Sequence, residues 1–181
     1  DAAIVQKGLP FWISNSYSLQ RVHQWRSEEA SILVGKHTVQ LDNPKLNVRD
    51  FAGNSILRIA IDRKLELARS LNFFDGSSET IIYNEEKDET IDRLNFVRLD
   101  FSKDIVTQIM RHLHRMEVQS LIVEGGAYTL NTFIDSGFWD EARIFQGEQH
   151  FEKGLKAPVI KTKQLDEAHI GNNLLHIYKN N

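Results

Sequence analysis

Seven short apolar runs alternate with stretches of helical periodicity along this chain, and that alternation narrows the fold more than any other feature. Residues 31–34 (SILV), 57–61 (LRIAI), 80–83 (TIIY), 96–99, 121–123, 142–145 and 174–178 are rich in β-branched or aromatic residues and bounded by Gly, Asn or Asp. They read as strands, and the continuous runs are those of strands covered on both faces. Between them, residues 14–25 place Leu19, Val22 and Trp25 on one helical face, with Ser14, Asn15 or Ser16 as caps. Residues 102–116 carry Ile105, Ile109, Leu113 and Met116 at helical spacing, with Ser102 as cap. Residues 127–136 start after two glycines and stop at Gly137. Strands alternating with helices predict an α/β layered domain around a largely parallel or mixed sheet. Two late strands with little helix between them predict an antiparallel edge. The polar stretch 84–93 (NEEKDETIDR) reads as a solvated loop or short helix. At 181 residues, without repeats or a low-complexity linker, the chain is expected to be a single domain, residues 1–181.

Composition then removes whole classes of function. Lys and Arg number 22 against 25 Asp and Glu, a net charge of −3. That balance provides no field for a nucleic-acid backbone or an anionic membrane. No helical pattern is basic and interleaved with aromatics, so no nucleic-acid partner is expected. There is no cysteine, which excludes disulfides, thiolate nucleophiles and Cys-based zinc sites and fits the cytoplasm. No apolar run approaches the roughly 20 residues of a membrane helix, and residues 1–10 lack a signal-peptide pattern. The seven histidines form no ligand set: His112 and His114 point to different helix faces, and HExxH is absent, so no metal is expected. No GxSxG elbow supports a serine hydrolase.

Two segments can carry chemistry. In Leu121-Ile122-Val123-Glu124-Gly125-Gly126-Ala127-Tyr128-Thr129 a buried strand meets two glycines and opens a helix. Helix-start N–H groups, with the helix dipole behind them, favour an anion such as a dinucleotide phosphate; a plain Gly turn is the alternative. The spacing is not GxGxxG, so a Rossmann domain is not supported. Glu124, a carboxylate at the end of an apolar strand, needs a partner or a cleft; it could accept hydrogen bonds from a sugar or ring N–H, or cap the next helix. The second segment runs from Ile32-Leu33-Val34-Gly35 through Thr38-Val39 to Asp42-Asn43-Pro44-Lys45-Leu46-Asn47-Val48-Arg49. It reads as a strand ending in Gly, then a turn-rich loop bringing Asp42, Asn43 and Arg49 together. Arg49 has the planar fork that suits a phosphate. Arg26 could pair with Glu28 and Glu29 or with a substrate anion, and Trp12 could be core or flank a nucleotide.

Taken in order, Trp12-Ile13-Ser14, Arg26, Ile32-Leu33-Val34-Gly35, Thr38-Val39, Asp42-Asn43-Pro44, Leu46, Val48-Arg49, Ile61-Asp62, Val123-Glu124-Gly125-Gly126 and the run from Asp135 to Glu141 resemble the reductase domain of the bifunctional riboflavin biosynthesis deaminase/reductase family. The resemblance covers nearly the whole chain. It implies a dihydrofolate-reductase-like fold, a central mixed sheet flanked by helices. It implies NADPH-dependent reduction of the ribose of 5-amino-6-(5-phosphoribosylamino)uracil to a ribityl chain, by hydride transfer from nicotinamide C4 to C1′ of the ring-opened sugar. Trp12, Thr38 and Asp42 would line the cofactor site with Arg63 nearby, and Gly126, Ala127, Tyr128, Thr129, Leu130, Asn131 and Thr132 would cradle its phosphates. Arg26, Leu46, Arg49 and Glu124 would contact the substrate, a phosphorylated ribosylaminopyrimidine. Asp42 and Glu124 would be the catalytic groups, and the protein would be a homodimer.

Three departures from the family accompany the match. The family opens with a strand ending in Asp-Gly, and Asp1-Ala2-Ala3-Ile4 reads as the remnant of that strand. Pro10 stands where a small polar residue contacts substrate. The zinc deaminase domain is absent, so no deamination is expected of this chain. The rival readings are another dihydrofolate-reductase-like pyrimidine or pteridine reductase, a non-catalytic nucleotide-binding module, and a structural or dimerisation domain.

Overall fold

A computed structural model describes residues 3–6, 9–48, 56–149 and 154–180, with the backbone alone up to residue 12. In chain order the elements are β1 (Ala3–Gln6), β2 (Leu9–Trp12), α1 (Ser16–Glu28), β3 (Ser31–Gly35), α2 (Lys36–Asp42), β4 (Leu57–Ile61), β5 (Thr80–Asn84), β6 (Glu89–Ile91), β7 (Leu94–Arg98), α3 (Ile105–Arg115), β8 (Leu121–Gly125), α4 (Ala127–Ser136), β9 (Glu141–Gln146), β10 (Gln164–Ile170) and β11 (Asn173–Lys179). The main sheet has the order β6-β7-β5-β4-β3-β8; all neighbours are parallel except β6, which pairs antiparallel with β7. β10-β11-β9 form an antiparallel sheet of their own, and β1 pairs antiparallel with β2.

Side-chain alternation along the parallel strands builds two cores, one on each face. Ile32, Val34, Ala60, Ile82 and Phe96 meet Val39 of α2, Leu46 and Phe73 on one side. Leu33, Ile59, Ile81 and Tyr83 meet Val106, Ile109 and Leu113 of α3 and Phe133 of α4 on the other. This is the mostly parallel sheet flanked by helices that the strand–helix alternation predicts.

Several boundaries differ from the sequence reading, each for a local reason. α1 starts at Ser16 because the Asn15 side chain accepts from Ser18 N–H at 2.8 Å, and it continues to Glu28. α3 starts at Ile105, since Asp104 caps it by accepting from the N–H groups of Val106 and Thr107. Ser102 instead donates its hydroxyl to Asp100. Residues 36–42, read as turn, form α2, which buries only Val39 and ends at Asn43 in the left-handed region (φ 43°). The polar stretch 84–93 contains β6, an exposed strand, and a turn at Asp92. The late strands are antiparallel, as expected, but join β10 in a separate sheet rather than edging the main one. α4 runs from Ala127 to Ser136 with Gly137 (φ 76°) as its stop, as read.

α1 links the two larger sheets. Trp25 stacks on Phe145 of β9, ring centroids 5.6 Å apart, while its neighbour Arg26 reaches Glu124 on β8. Among the described residues, no helix is long and apolar enough to cross a membrane, and no group of His, Asp or Glu could hold a metal ion.

Candidate active site

Open parallel sheets bind ligands beyond the carboxyl ends of their strands, and here the sequence puts glycine at two adjacent strand ends. Val34 pairs with Gly125, and Gly35 follows. A side-chain carbon at Gly35 would lie 2.4 Å from Thr129 Oγ1; one at Gly125 would lie 3.0 Å from both Thr38 Cγ2 and Oγ1. The glycines therefore let α2 and α4 seat their first turns against the strand ends. Gly126 adopts φ 74°, a conformation glycine takes without strain, and α4 begins there with no side-chain cap. Its opening N–H groups face the exposed Gly126 end of the helix, which is the environment an anion favours.

Of the residues expected to cradle phosphates, the backbone of the first turn opens at the Gly126 end, and the side chains scatter. Thr129 is buried with its hydroxyl over Gly35. Thr132 donates its hydroxyl to the Tyr128 carbonyl at 2.8 Å. The Tyr128 ring is 82% exposed, Asn131 is exposed, and Ala127 and Leu130 are half-buried. Thr38, on the first turn of α2, faces the Gly125–Gly126 turn.

Arg26 and Glu124, both expected at a substrate, meet each other. Arg26 Nε donates to Glu124 Oε1 at 2.8 Å and Nη2 to Oε2 at 2.5 Å, a two-pronged pair with side chains 8% and 17% exposed. Glu28 and Glu29, weighed as partners for Arg26, do not take that place. Asp42 ends α2, and partial burial pushes its carboxyl above the ordinary carboxylate range. The Leu46 side chain is 3% exposed and belongs to the core, its backbone left-handed at φ 49°. Trp12 lies at the end of β2 with its side chain outside the described residues, and Arg49 is outside them altogether.

Further along the same edge, beyond β4, β5 and β7, lies a cleft of about 720 Å³ lined by Arg63, Lys64, Glu85, Arg98, Phe101 and Gln108, among others. Asp62 makes it: its carboxylate, buried at the end of β4, accepts from the N–H groups of Glu66 and Leu67, and the turn so formed projects Arg63 and Lys64 outward. Arg63 donates to Glu85 at 2.6 Å and lies 5.4 Å from the centroid of the Phe101 ring; Lys64 pairs with Glu85 and Glu86. Lys64 holds Glu85 below the usual carboxylate range, with Arg63 adding to it. Only Arg63 of this cleft is singled out by the sequence. The cleft unites residues from three strand ends, and no local motif announces that.

Residues 3–147 match the family model described as the RibD C-terminal domain. The riboflavin biosynthesis protein RibD of Aquifex aeolicus is 28% identical over 162 residues, 87% of this chain and 46% of that protein. The 2,5-diamino-6-ribosylamino-4(3H)-pyrimidinone 5′-phosphate reductase of Archaeoglobus fulgidus is 28% identical over 152 residues, 75% of this chain and 69% of that one. A Thermotoga maritima crystal structure of a diaminohydroxyphosphoribosylaminopyrimidine deaminase/5-amino-6-(5-phosphoribosylamino)uracil reductase superposes with a TM-score of 0.83 at 26% identity, over 97% of this chain and 52% of that one. The chain thus spans about half the length of the first of these relatives and of the solved structure.

Proposed function

The chain belongs to the family of the RibD C-terminal domain, and from that premise we propose that it uses NADPH to reduce the ribose of 5-amino-6-(5-phosphoribosylamino)uracil to the ribityl form in riboflavin biosynthesis. One observation carries this reading: a bidentate, nearly buried Arg26–Glu124 pair stands directly beside an uncapped helix start behind Gly126. An anion-binding turn and an oriented carboxylate side by side suit a phosphate-bearing cofactor and a sugar. The Gly126 turn fits such a cofactor, since it is exposed and any side chain there would be strained at φ 74° and lie 3.3 Å from Thr38 Oγ1.

NADPH, when bound, supplies the hydride for the sugar carbon. The backbone at Gly126 and Ala127, with Thr38, would hold its phosphates, and Arg63, Lys64 and Arg98 in the cleft offer cations for the phosphate that distinguishes it from NADH. Arg26 spends two of its five N–H donors on Glu124, which fixes the carboxylate's rotamer. The remaining lone pairs of Glu124 can then accept from a sugar hydroxyl or a ring N–H, and the other Arg26 donors can meet the substrate phosphate with Arg49. Leu46 would touch substrate through its backbone, because its side chain is core. Asp42, with its raised affinity for protons, suits a proton relay to the reduced sugar. Anchoring the remote phosphate serves to orient the reacting carbon. The same reading makes the protein a cytoplasmic homodimer, which light scattering of the purified protein checks.

The test begins with titration of NADPH and NADH, followed by nicotinamide fluorescence, on wild type and Gly126→Asp. Saturable binding that prefers NADPH and is lost in the variant supports the cradle. Turnover is then compared on the uracil and on the 2,5-diaminopyrimidinone 5′-phosphate, the substrate in the name of the Archaeoglobus fulgidus relative. Faster reduction of the second would replace the substrate and keep the chemistry. Binding without oxidation of either would leave a non-catalytic nucleotide module, and no binding by a folded sample would sink the reading.

A further inference from the structure

We propose that Arg58, inside the sheet near the amino end of β4, is a positioning residue that sets the loop 43–48 against the active site. The inference rests on the reductase reading above. On β4, Arg58 shares a face with Ala60, within a core of Ile32, Val34 and Ile82. Its side chain is 0% exposed. A guanidinium in that place is costly to desolvate, and apolar replacements of buried ion pairs are often as stable or more so. Nor is Arg58 fully satisfied: among the described residues its Nε has no hydrogen-bond partner. Its contacts explain it better than core stability does.

Those contacts all go to two loops. Nη1 donates to the Lys45 carbonyl at 3.2 Å and, at 3.5 Å, to that of Asn72; Nη2 donates to Asp75 Oδ1 at 2.9 Å. Burial raises the Asp75 carboxyl's proton affinity, but Ser77 and Arg58 together outweigh it and hold the group below its ordinary range. Asn72 also grips the first loop directly, donating its N–H to Asn43 Oδ1 at 2.7 Å and its side-chain amide to the Asn43 carbonyl at 2.9 Å. The segment after Asp42 is therefore held at residues 43 and 45 by one clamp, and the next residue, Leu46, takes the left-handed conformation that leucine disfavours. The clamp and the burial of the Leu46 side chain together hold this conformation. Asp42 precedes the clamped segment directly, so the clamp governs where the loop's backbone and that carboxylate stand. Gly126 lies on an element the clamp does not touch, and Thr38 stands in the first turn of α2, at the far end of that helix from Asn43.

The experiment pairs a protease readout with kinetics on Arg58→Met and Arg58→Lys. Trypsin cleavage of the native protein after Lys45, in the loop, is compared with cleavage after the exposed Lys156. Arg58→Met is expected to speed cleavage at Lys45 at least tenfold over any change at Lys156, with Arg58→Lys intermediate. The KM for the uracil substrate is expected to rise tenfold or more, while the Kd for NADPH stays within twofold. Equal acceleration at both lysines, or KM and Kd rising together, would mean a general loss of structure and overturn the proposal. If the Arg58 variants do not fold, Asn72→Ala removes the side-chain bond to the Asn43 carbonyl and leaves the backbone one; the same pattern is expected at smaller size, and wild-type cleavage at Lys45 overturns it. Cleavage needs no substrate, so it decides the clamp even if the wild type reduces neither pyrimidine, the result that would end the reductase reading instead.

Discussion

The two ends of the sheet's carboxyl edge use charge in opposite ways. At the β8 end, one arginine and one glutamate are locked face to face, almost out of solvent. At the cleft, Arg63 and Lys64 pair with Glu85 and Glu86, the two cations open to water, and Arg98 lines the same space. A buried pair is rigid, and breaking it strands a charge; exposed pairs are weak, screened and exchangeable. The first arrangement suits a group that must not move during chemistry. The second suits cations that can trade a carboxylate for an incoming phosphate.

If this contrast is real, substitutions at the two ends should separate stability from affinity. The largest effect is expected for Glu124→Ala, which leaves Arg26 unpaired and should lower unfolding free energy by about 3 kcal/mol in denaturant titration, with loss of turnover. Glu124→Gln keeps the shape and removes the charge; unchanged turnover at saturating NADPH would show that Glu124 is not catalytic. Gly35→Ala comes next, because its methyl would overlap the Thr129 hydroxyl. A loss of about 1–3 kcal/mol is expected from overpacking, along with weaker NADPH binding, and Thr129→Ala in the same chain should restore much of both. At the cleft, Arg63→Ala should leave the thermal midpoint unmoved, since its pair with Glu85 is open to solvent. NADPH affinity should fall roughly tenfold, the worth of one charge-assisted contact, with NADH unaffected. A drop for both cofactors alike would assign Arg63 to something other than the distinguishing phosphate.

What the sequence reveals along this edge follows from how local each signal is. β4 and α4 are legible to the residue because a short aliphatic run closed by Asp62, and a Gly-Gly start with a Gly stop, are self-contained. α2 is not: seven residues with one buried side chain and no capping group carry no periodicity to detect. β10 is hidden likewise, since its residues between Gln164 and Ile170 are solvent-exposed and polar apart from Leu165 and Ala168. Arg26 and Glu124 are each conspicuous in the sequence, yet 98 positions separate them, and only the topology that puts α1 across β8 makes them partners. Arg58 left a trace, an arginine inside the run LRIAI, whose meaning depends on two loops packed over it.

The smallest effect tests the contrast at the edge of the core, where a half-buried imidazole meets a buried tyrosine. The Tyr83 hydroxyl and His112 Nδ1 are 2.9 Å apart between β5 and α3. Burial keeps Tyr83 protonated far above its ordinary range. Burial, with Arg115 nearby, lowers the pKa of His112 below its ordinary 6.5. The folded protein thus resists a proton that the unfolded chain accepts. Above about pH 6.5 both states hold His112 neutral and the group contributes no pH dependence. As pH falls below that value, the unfolded chain gains the proton first, and stability is lost until the folded pKa is passed. Urea midpoints measured from pH 7.5 to 5 should therefore fall less steeply in His112→Gln than in wild type. Glu124→Gln should leave this slope intact while lowering stability throughout the range. Equal slopes for wild type and His112→Gln would mean that the ring is protonated in place, and that the interior here tolerates a lone charge as the carboxyl edge does not.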